Sequence, residues 1–304
     1  MIRRLPALVA LALPLLVSSA FAAPPGFAFL EVPAGARASA MGGAFLAVAD
    51  GVDAAFWNPA ALSGVKGIQL SATHFEFFEG LRHEQFALGG RLFGGGVAGS
   101  VRAMYSEPIE ERDELGNLIG TFGAHDLELQ LGYGRATAGG ASVGFAAQLV
   151  RERIASESAM TWGASAGMAW RPERWRDLRA GLAVQHAGPA ARYDLDGERG
   201  APVGLPLALH GGLAWHHALG RGLGLTPALD VRAMRGRQAV VALGGEIESD
   251  AGASIRLGLR QGDDIADFSA GAGWRYGLYR VDYAWVPSKL DLGDTHRFSF
   301  GAQF

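Results

Sequence analysis

From Gly67 to Phe304 the chain alternates apolar residues with polar or small ones, the period-two signature of strands with two unlike faces. The pattern is clearest where Leu127, Leu129, Leu131 and Tyr133 interleave with Asp126, Glu128, Gln130 and Gly132. It recurs where Ile255, Leu257 and Leu259 interleave with Ser254, Arg256, Gly258 and Arg260. Followed to the end it predicts about fourteen strands of roughly ten residues. They begin near positions 67, 82, 96, 123, 141, 160, 178, 204, 223, 239, 252, 266, 278 and 294. Alternation alone suits a soluble sandwich with an apolar core and a membrane barrel with an apolar exterior equally well.

The connections separate these two architectures. After even strands they are short: Phe93-Gly94-Gly95, Thr137 to Gly140, Ser249-Asp250-Ala251 and Tyr276-Gly277, with Pro172 to Asp177 the longest. After odd strands many are long and polar, as at Ser106 to Thr121, Ala187 to Ala201, Gln261 to Ile265 and Pro287 to Gly293. Short turns at one rim and long loops at the other are the habit of bacterial outer-membrane barrels. Tyr105, Tyr133, Trp162, Trp170, Trp215, Trp274, Tyr276, Tyr283 and Trp285 lie near strand ends on the apolar parity, where amphipathic rings sit at a headgroup interface. The reading is therefore all-β: an antiparallel transmembrane β-barrel of about 14 strands over residues 67–304, in contact with outer-membrane lipid.

The first 22 residues read differently. Arg3 and Arg4, an apolar run from Leu5 to Val17 and the triplet Ala20-Phe21-Ala22 make a signal peptide over 1–22, cleaved before Ala23. The apolar run is shorter than the roughly 20 residues of a spanning helix. The expected location is the cell outer membrane of a Gram-negative type of envelope. Composition narrows the chemistry. With no cysteine there is no disulfide framework, thiolate site or lipid attachment at a processed cysteine, and the 45 glycines of 304 residues are spread through strand-like segments. A formal net charge of -3, with Lys66 and Lys289 the only lysines, leaves no basic footprint for nucleic acid.

Residues 23–66 do not alternate. They carry Gly35-Ala36-Arg37-Ala38-Ser39-Ala40-Met41-Gly42-Gly43-Ala44-Phe45 and then Ala54-Ala55-Phe56-Trp57-Asn58-Pro59-Ala60-Ala61-Leu62. A G-A-R-A-x-x-M-G-G-A-F segment paired with an A-x-x-W-N-P-A-x-L segment just before the first strand resembles the PorV/PorQ group of the FadL-like outer-membrane proteins. Leu292-Gly293-Asp294-Thr295-His296-Arg297 ahead of an aromatic last strand resembles the same group. The resemblance implies a fourteen-stranded barrel whose N-terminal segment, here 23–66, folds inward as a hatch. That is sensible by size, because eight strands fill themselves while sixteen leave a channel. The last strand, with Phe298, Phe300, Ala302 and Phe304 on one face, looks like the signal read by the barrel assembly machinery, a partner that would dock at the strand ending in Phe304.

Seven hatch positions are candidates for ligand contact or hatch packing: Gly42, Gly43, Phe45, Phe56, Trp57, Asn58 and Pro59. For Asn58 and Pro59 the ending of a helical turn is the stronger reading. Parity also points a charged set inward: Arg91, Arg102, Asp126, Glu128, Arg179, His210, Asp230, Arg232, Glu246, Glu248, Arg256, Arg260, Arg275, Asp282 and Arg297. Ties between wall and hatch are their expected role. No zincin, Walker or nucleophile-elbow motif is present. Adjacent His216 and His217 point to opposite faces, and Asp194 to Glu198, Asp263, Asp264 and Asp267 lack full calcium-loop spacing. No catalytic residue, metal site or cofactor is expected, and the protein reads as a non-enzyme. Two functions remain open. One is uptake or passage of hydrophobic small molecules through a FadL-like barrel. The other is PorV-like binding of secreted protein cargo, escorted or anchored at the cell surface by the long loops.

Overall fold

The computed structural model describes residues 25–304 except 78, 79, 196, 197 and 291, so the expected leader and its cleavage site lie outside the described residues. The strands are β1 (Gln69–Glu76), β2 (Arg82–Leu92), β3 (Gly95–Tyr105), β4 (Ile109–Arg112), β5 (Leu118–Phe122), β6 (Ala124–Ala136) and β7 (Ala141–Ile154). They continue as β8 (Glu157–Trp170), β9 (Leu178–Ala187), β10 (Ala191–Leu195), β11 (Glu198–Val203), β12 (Ala208–Trp215), β13 (His217–Gly220), β14 (Leu223–Met234) and β15 (Val240–Ser249). The last four are β16 (Ala253–Gln261), β17 (Phe268–Tyr276), β18 (Tyr279–Val286) and β19 (Thr295–Gln303). Each barrel strand pairs antiparallel with its neighbours, and β1 pairs with both β2 and β19, which closes the sheet. Backbone hydrogen bonds between Ile68 and Phe304, 2.8 and 3.2 Å, complete the seam.

With β12 and β13 counted as one stave, the result is a closed antiparallel barrel of 14 strands, as the alternation predicts. Closure satisfies every strand edge internally, which a lipid environment requires. The faces sort as parity demands: on β6 the outward Leu127, Leu129 and Leu131 are exposed while Glu128 and Gln130 are buried in the lumen. The long-loop rim is more structured than the sequence suggests. The connection from β3 to β6 folds into the separate β4–β5 ribbon, and that from β9 to β12 into the β10–β11 hairpin. In the wall, one register shift between β8 and β9 places His186 at φ 57° and turns its ring inward onto Gln148.

Residues 25–66 fold inside the lumen as short turns and two helices, α1 (Ala36–Ala40) and α2 (Ala54–Trp57). The chain enters at the long-loop rim, where the Gly26 amide donates to the Gly204 carbonyl at 3.0 Å. It leaves at the short-turn rim beside Phe304. Lacking long helices of its own, this segment is held by the wall. The Gly35, Ala36 and Gly42 amides donate to Gln85, Ser299 and Ser269 at 2.8 to 3.0 Å. Buried apolar side chains of the hatch, among them Met41, Phe45, Val48, Trp57 and Leu62, form the main core with small wall residues such as Ala87, Ala98 and Ala242.

Candidate functional site

The wall meets the hatch through inward charges, and these fall into three groups. In the first, Arg102, Arg232 and Arg297 donate to the carbonyls of Leu30, Glu31 and Pro33 at 3.0, 3.1 and 3.2 Å. Three well-separated strands thus grip one stretch of hatch backbone. In the second, Asp230 Oδ2 accepts the Phe45 and Leu46 amides at 3.0 and 2.8 Å and lies 3.0 Å from His210 Nε2. The third is a ladder around Arg37. Its guanidinium donates twice to Glu246, at 2.6 and 2.8 Å, and once to Asp50 at 3.0 Å. Arg256 shares the Glu246 Oε2 with Arg37, at 2.5 Å, and reaches Asp282 at 2.9 Å, and Arg280 closes on Asp282 at 2.7 Å. The Asp50 side chain is exposed in the lumen, and the Arg37 guanidinium holds its carboxyl below the usual range.

Above the ladder lies a cavity of about 300 Å³ between the hatch and the β14–β19 wall. Its roof is made by the connections after β14, β16 and β18, through Gln238, Ile265 and Leu292; Val240, Ala242, Ala266 and Val286 supply apolar wall, and Val32, Pro33 and Trp57 face it from the hatch. His210, Asp230, Arg232, Arg260 and Arg297 add polar groups. Asp263, in the connection after β16, receives the Ile265 and Ala266 amides at 2.9 and 2.8 Å and Arg260 at 3.3 Å. Burial opposes its ionisation, while Arg260 and the two amides hold the carboxyl below the usual range. Below the ladder, at the short-turn rim, a larger polar vestibule of about 760 Å³ is lined by Glu248, Ser254, Arg256 and Arg280.

The structure brings together three of the seven hatch candidates at the cavity: Gly42, Gly43 and Trp57. The Trp57 indole N–H donates to the Ala34 carbonyl at 3.1 Å, and its ring lies 5.9 Å from His210. Phe45 stands behind Trp57, ring edge to face at 5.5 Å, and Phe56 packs under Arg102 at 5.2 Å. Asn58 and Pro59 are placed elsewhere. The Asn58 amide donates to the Met168 carbonyl on β8 at 2.9 Å, and its oxygen accepts the Ala60 N–H at 3.1 Å, capping the turn that Pro59 begins. Arg37 is the residue the sequence reading passed over. Its signal was there, a lone charge in a run of alanines, glycines and serine that must otherwise be buried. Val32, Pro33, Ile265 and Leu292 carry no such signal, because tertiary placement alone brings them to the cavity.

No family model and no curated protein matches this chain. Solved structures do. The monoaromatic hydrocarbon channel CymD superposes with a TM-score of 0.60 at 13% identity, covering 89% of this chain and 97% of its own. A deletion mutant of the monoaromatic hydrocarbon channel TodX gives 0.59 at 12% identity, covering 89% and 99%. A Pseudomonas aeruginosa FadL homologue gives 0.53 at 13% identity, covering 88% and 97%. The chain has the fold of these FadL-like outer-membrane channels.

Proposed function

We propose that this barrel passes small hydrophobic molecules across the outer membrane. The observation that carries the reading is the stacking of the cavity and the vestibule on one side of the lumen. Along β16 the cavity reaches Arg260 and the vestibule reaches Arg256, with Gly258 the single inward position between them. The four residue steps from Arg256 to Arg260 span about 14 Å. A solute entering beneath the roof loops rests against Trp57, Val240 and Ala242, then needs only a shift of the hatch around Met41 to Ala44 and of the ladder to reach the vestibule. The FadL-like fold and the hatch support this reading, and the hatch motifs draw it toward the PorV/PorQ group. On the same reading residues 1–22 direct export, the assembly machinery takes up the strand ending at Phe304, and the protein performs no catalysis.

Purified protein in vesicles with a lipopolysaccharide outer leaflet, which slows apolar solutes as a plain phospholipid bilayer does not, tests it. Wild-type barrels are expected to speed toluene entry over protein-free vesicles, and Ala242→Trp, which fills the cavity, to return entry to the protein-free rate. Equal rates for wild type and Ala242→Trp would remove the cavity from the path.

A second reading has its own observation. The β4–β5 ribbon stands apart from the barrel sheet and exposes Ile109, Leu115, Leu118 and Ile119 at the long-loop rim. Apolar residues there suit a PorV-like hold on secreted cargo. Deleting residues 108–121 separates the two, since toluene entry survives the deletion if the barrel transports and cargo retention does not if it escorts.

A further inference from the structure

The cavity is apolar in its walls but not in its charge. Four arginines and four carboxylates line it, Arg232, Arg237, Arg260 and Arg297 against Glu31, Asp230, Asp263 and Asp264, yet they are not matched pair by pair. Glu31 is taken by Arg237 at 3.5 Å, Asp264 is exposed at the rim, and Asp230 commits Oδ2 to His210 and two hatch amides while Oδ1 stays free. Asp263 holds Arg260 through one oxygen and two backbone amides through the other.

The arginines are less well served. Arg297, 3% exposed, donates to the Pro33 carbonyl and Ser39 and stacks on Phe75 at 4.3 Å. Arg232 donates to the Glu31 carbonyl. Neither has a carboxylate within ion-pair distance among the described residues. Arg260, 8% exposed, keeps Nε and Nη2 without a hydrogen-bond partner, and the Nε atoms of Arg232 and Arg297 are likewise unpartnered. A buried guanidinium without a counter-charge is costly, and its planar fork is built for a carboxylate. Placed around an apolar chamber, such groups favour an apolar solute with a charged head over a plain hydrocarbon.

We infer that the cavity takes a compact organic anion, one carboxylate on an apolar body of about a single ring, with the carboxylate at Arg260 and Arg297. The body then lies against Trp57, Ala242 and Val286. A cavity of about 300 Å³ stands at the low end of small-molecule sites, roughly 300–1,000 Å³. The inference rests on reading this cavity as the solute site and adds the chemistry of the solute's head.

Benzoate and toluene differ by little more than the charged group, so equilibrium dialysis of radiolabelled benzoate and toluene against the full chain in a non-ionic detergent tests the head alone. Wild-type protein is expected to bind one benzoate per chain at least about tenfold more tightly than toluene, a difference of ~1.4 kcal/mol. Arg260→Gln, which breaks no tie to the hatch, is expected to weaken benzoate about tenfold and leave toluene within about twofold. Arg297→Gln adds a second measure where the barrel still assembles, and Ala242→Trp should abolish both ligands. Toluene bound as tightly as benzoate overturns the anion inference and leaves the solute site standing. Benzoate binding that Arg260→Gln leaves intact also overturns it. Binding of neither ligand overturns the inference and the proposed solute site together.

Discussion

The two flanks of the lumen are closed by different means. Under β3, β6, β7 and β8 the turn from Pro59 to Gly64 lies backbone against backbone on the wall, through strand glycines. A Cβ at Gly144 would overlap the Ala60 nitrogen and Pro59, and one at Gly134 would overlap the Pro59 carbonyl. Under β14 to β18 the short-turn rim is open as the vestibule, and closure at mid-height is shared between hatch backbone at Met41 and Gly42, seated on Gly244 and Gly258, and the side chains of Arg37, Glu246, Arg256 and Asp282. Backbone contacts at glycines have no rotamers to exchange, whereas an arginine ladder does. The flank with the more adjustable seal is therefore the one closed partly by charge, and it is the flank that carries the cavity.

Removing the hatch abolishes closure on both flanks. Deletion of residues 23–66 is expected to give a barrel that still inserts but conducts ions steadily in planar bilayers, while the intact chain stays nearly silent; equal conductance would mean the hatch is not the barrier. Next in size, Glu246→Gln removes the carboxylate shared by two buried arginines, leaving Arg37 to Asp50 and Arg256 to Asp282, and is expected to cost about 3 kcal/mol. It should also raise conductance above wild type, read in the same bilayers, with stability read from the heat-induced shift in gel mobility. Gly144→Val is expected to cost about 1–3 kcal/mol by overpacking, with conductance unchanged. More leakage from Gly144→Val than from Glu246→Gln would exchange the roles of the flanks.

The smallest expected effect is a matter of pH. Burial pushes the Asp53 carboxyl above its usual range, and the Ser71 hydroxyl, donating to it at 2.5 Å, pulls the other way. A carboxyl raised in this sense favours the folded protein while protonated. Stability is lost as pH climbs from the ordinary unfolded value of ~4 through the raised folded one. Asp53→Asn keeps the acceptor and removes the charge, so its Tm should exceed the wild type's by about 2 °C at pH 7, with the gap closing toward pH 4. A gap that is constant with pH would mean that Asp53 does not titrate in the folded hatch.

The barrel was legible in the chain because a strand in a lipid-facing wall repeats one rule at every second residue. The expected starts at 82, 141, 178 and 223 coincide with β2, β7, β9 and β14, and others such as 160 and 204 move by three or four residues to β8 and β12. The ribbon β4–β5 and hairpin β10–β11 escape the alternation, because outside the membrane their faces obey no such rule. In the hatch, Gly42, Gly43 and Trp57 could be singled out by residue type. Their meeting with Arg260 and Arg297, more than 200 positions away in the chain, could not.

Local alternation is enough to specify the wall: number of strands, direction of each face, and which rim carries the loops, all consequences of a period that lipid on one side enforces. It also marked residues 23–66 as the segment that breaks the period. Which wall charges pair with one another, which grip the hatch and which are left facing a chamber was decided only in the tertiary structure. Those partners come from strands far apart in sequence, and a charge in a closed lumen must settle with whatever the fold places beside it.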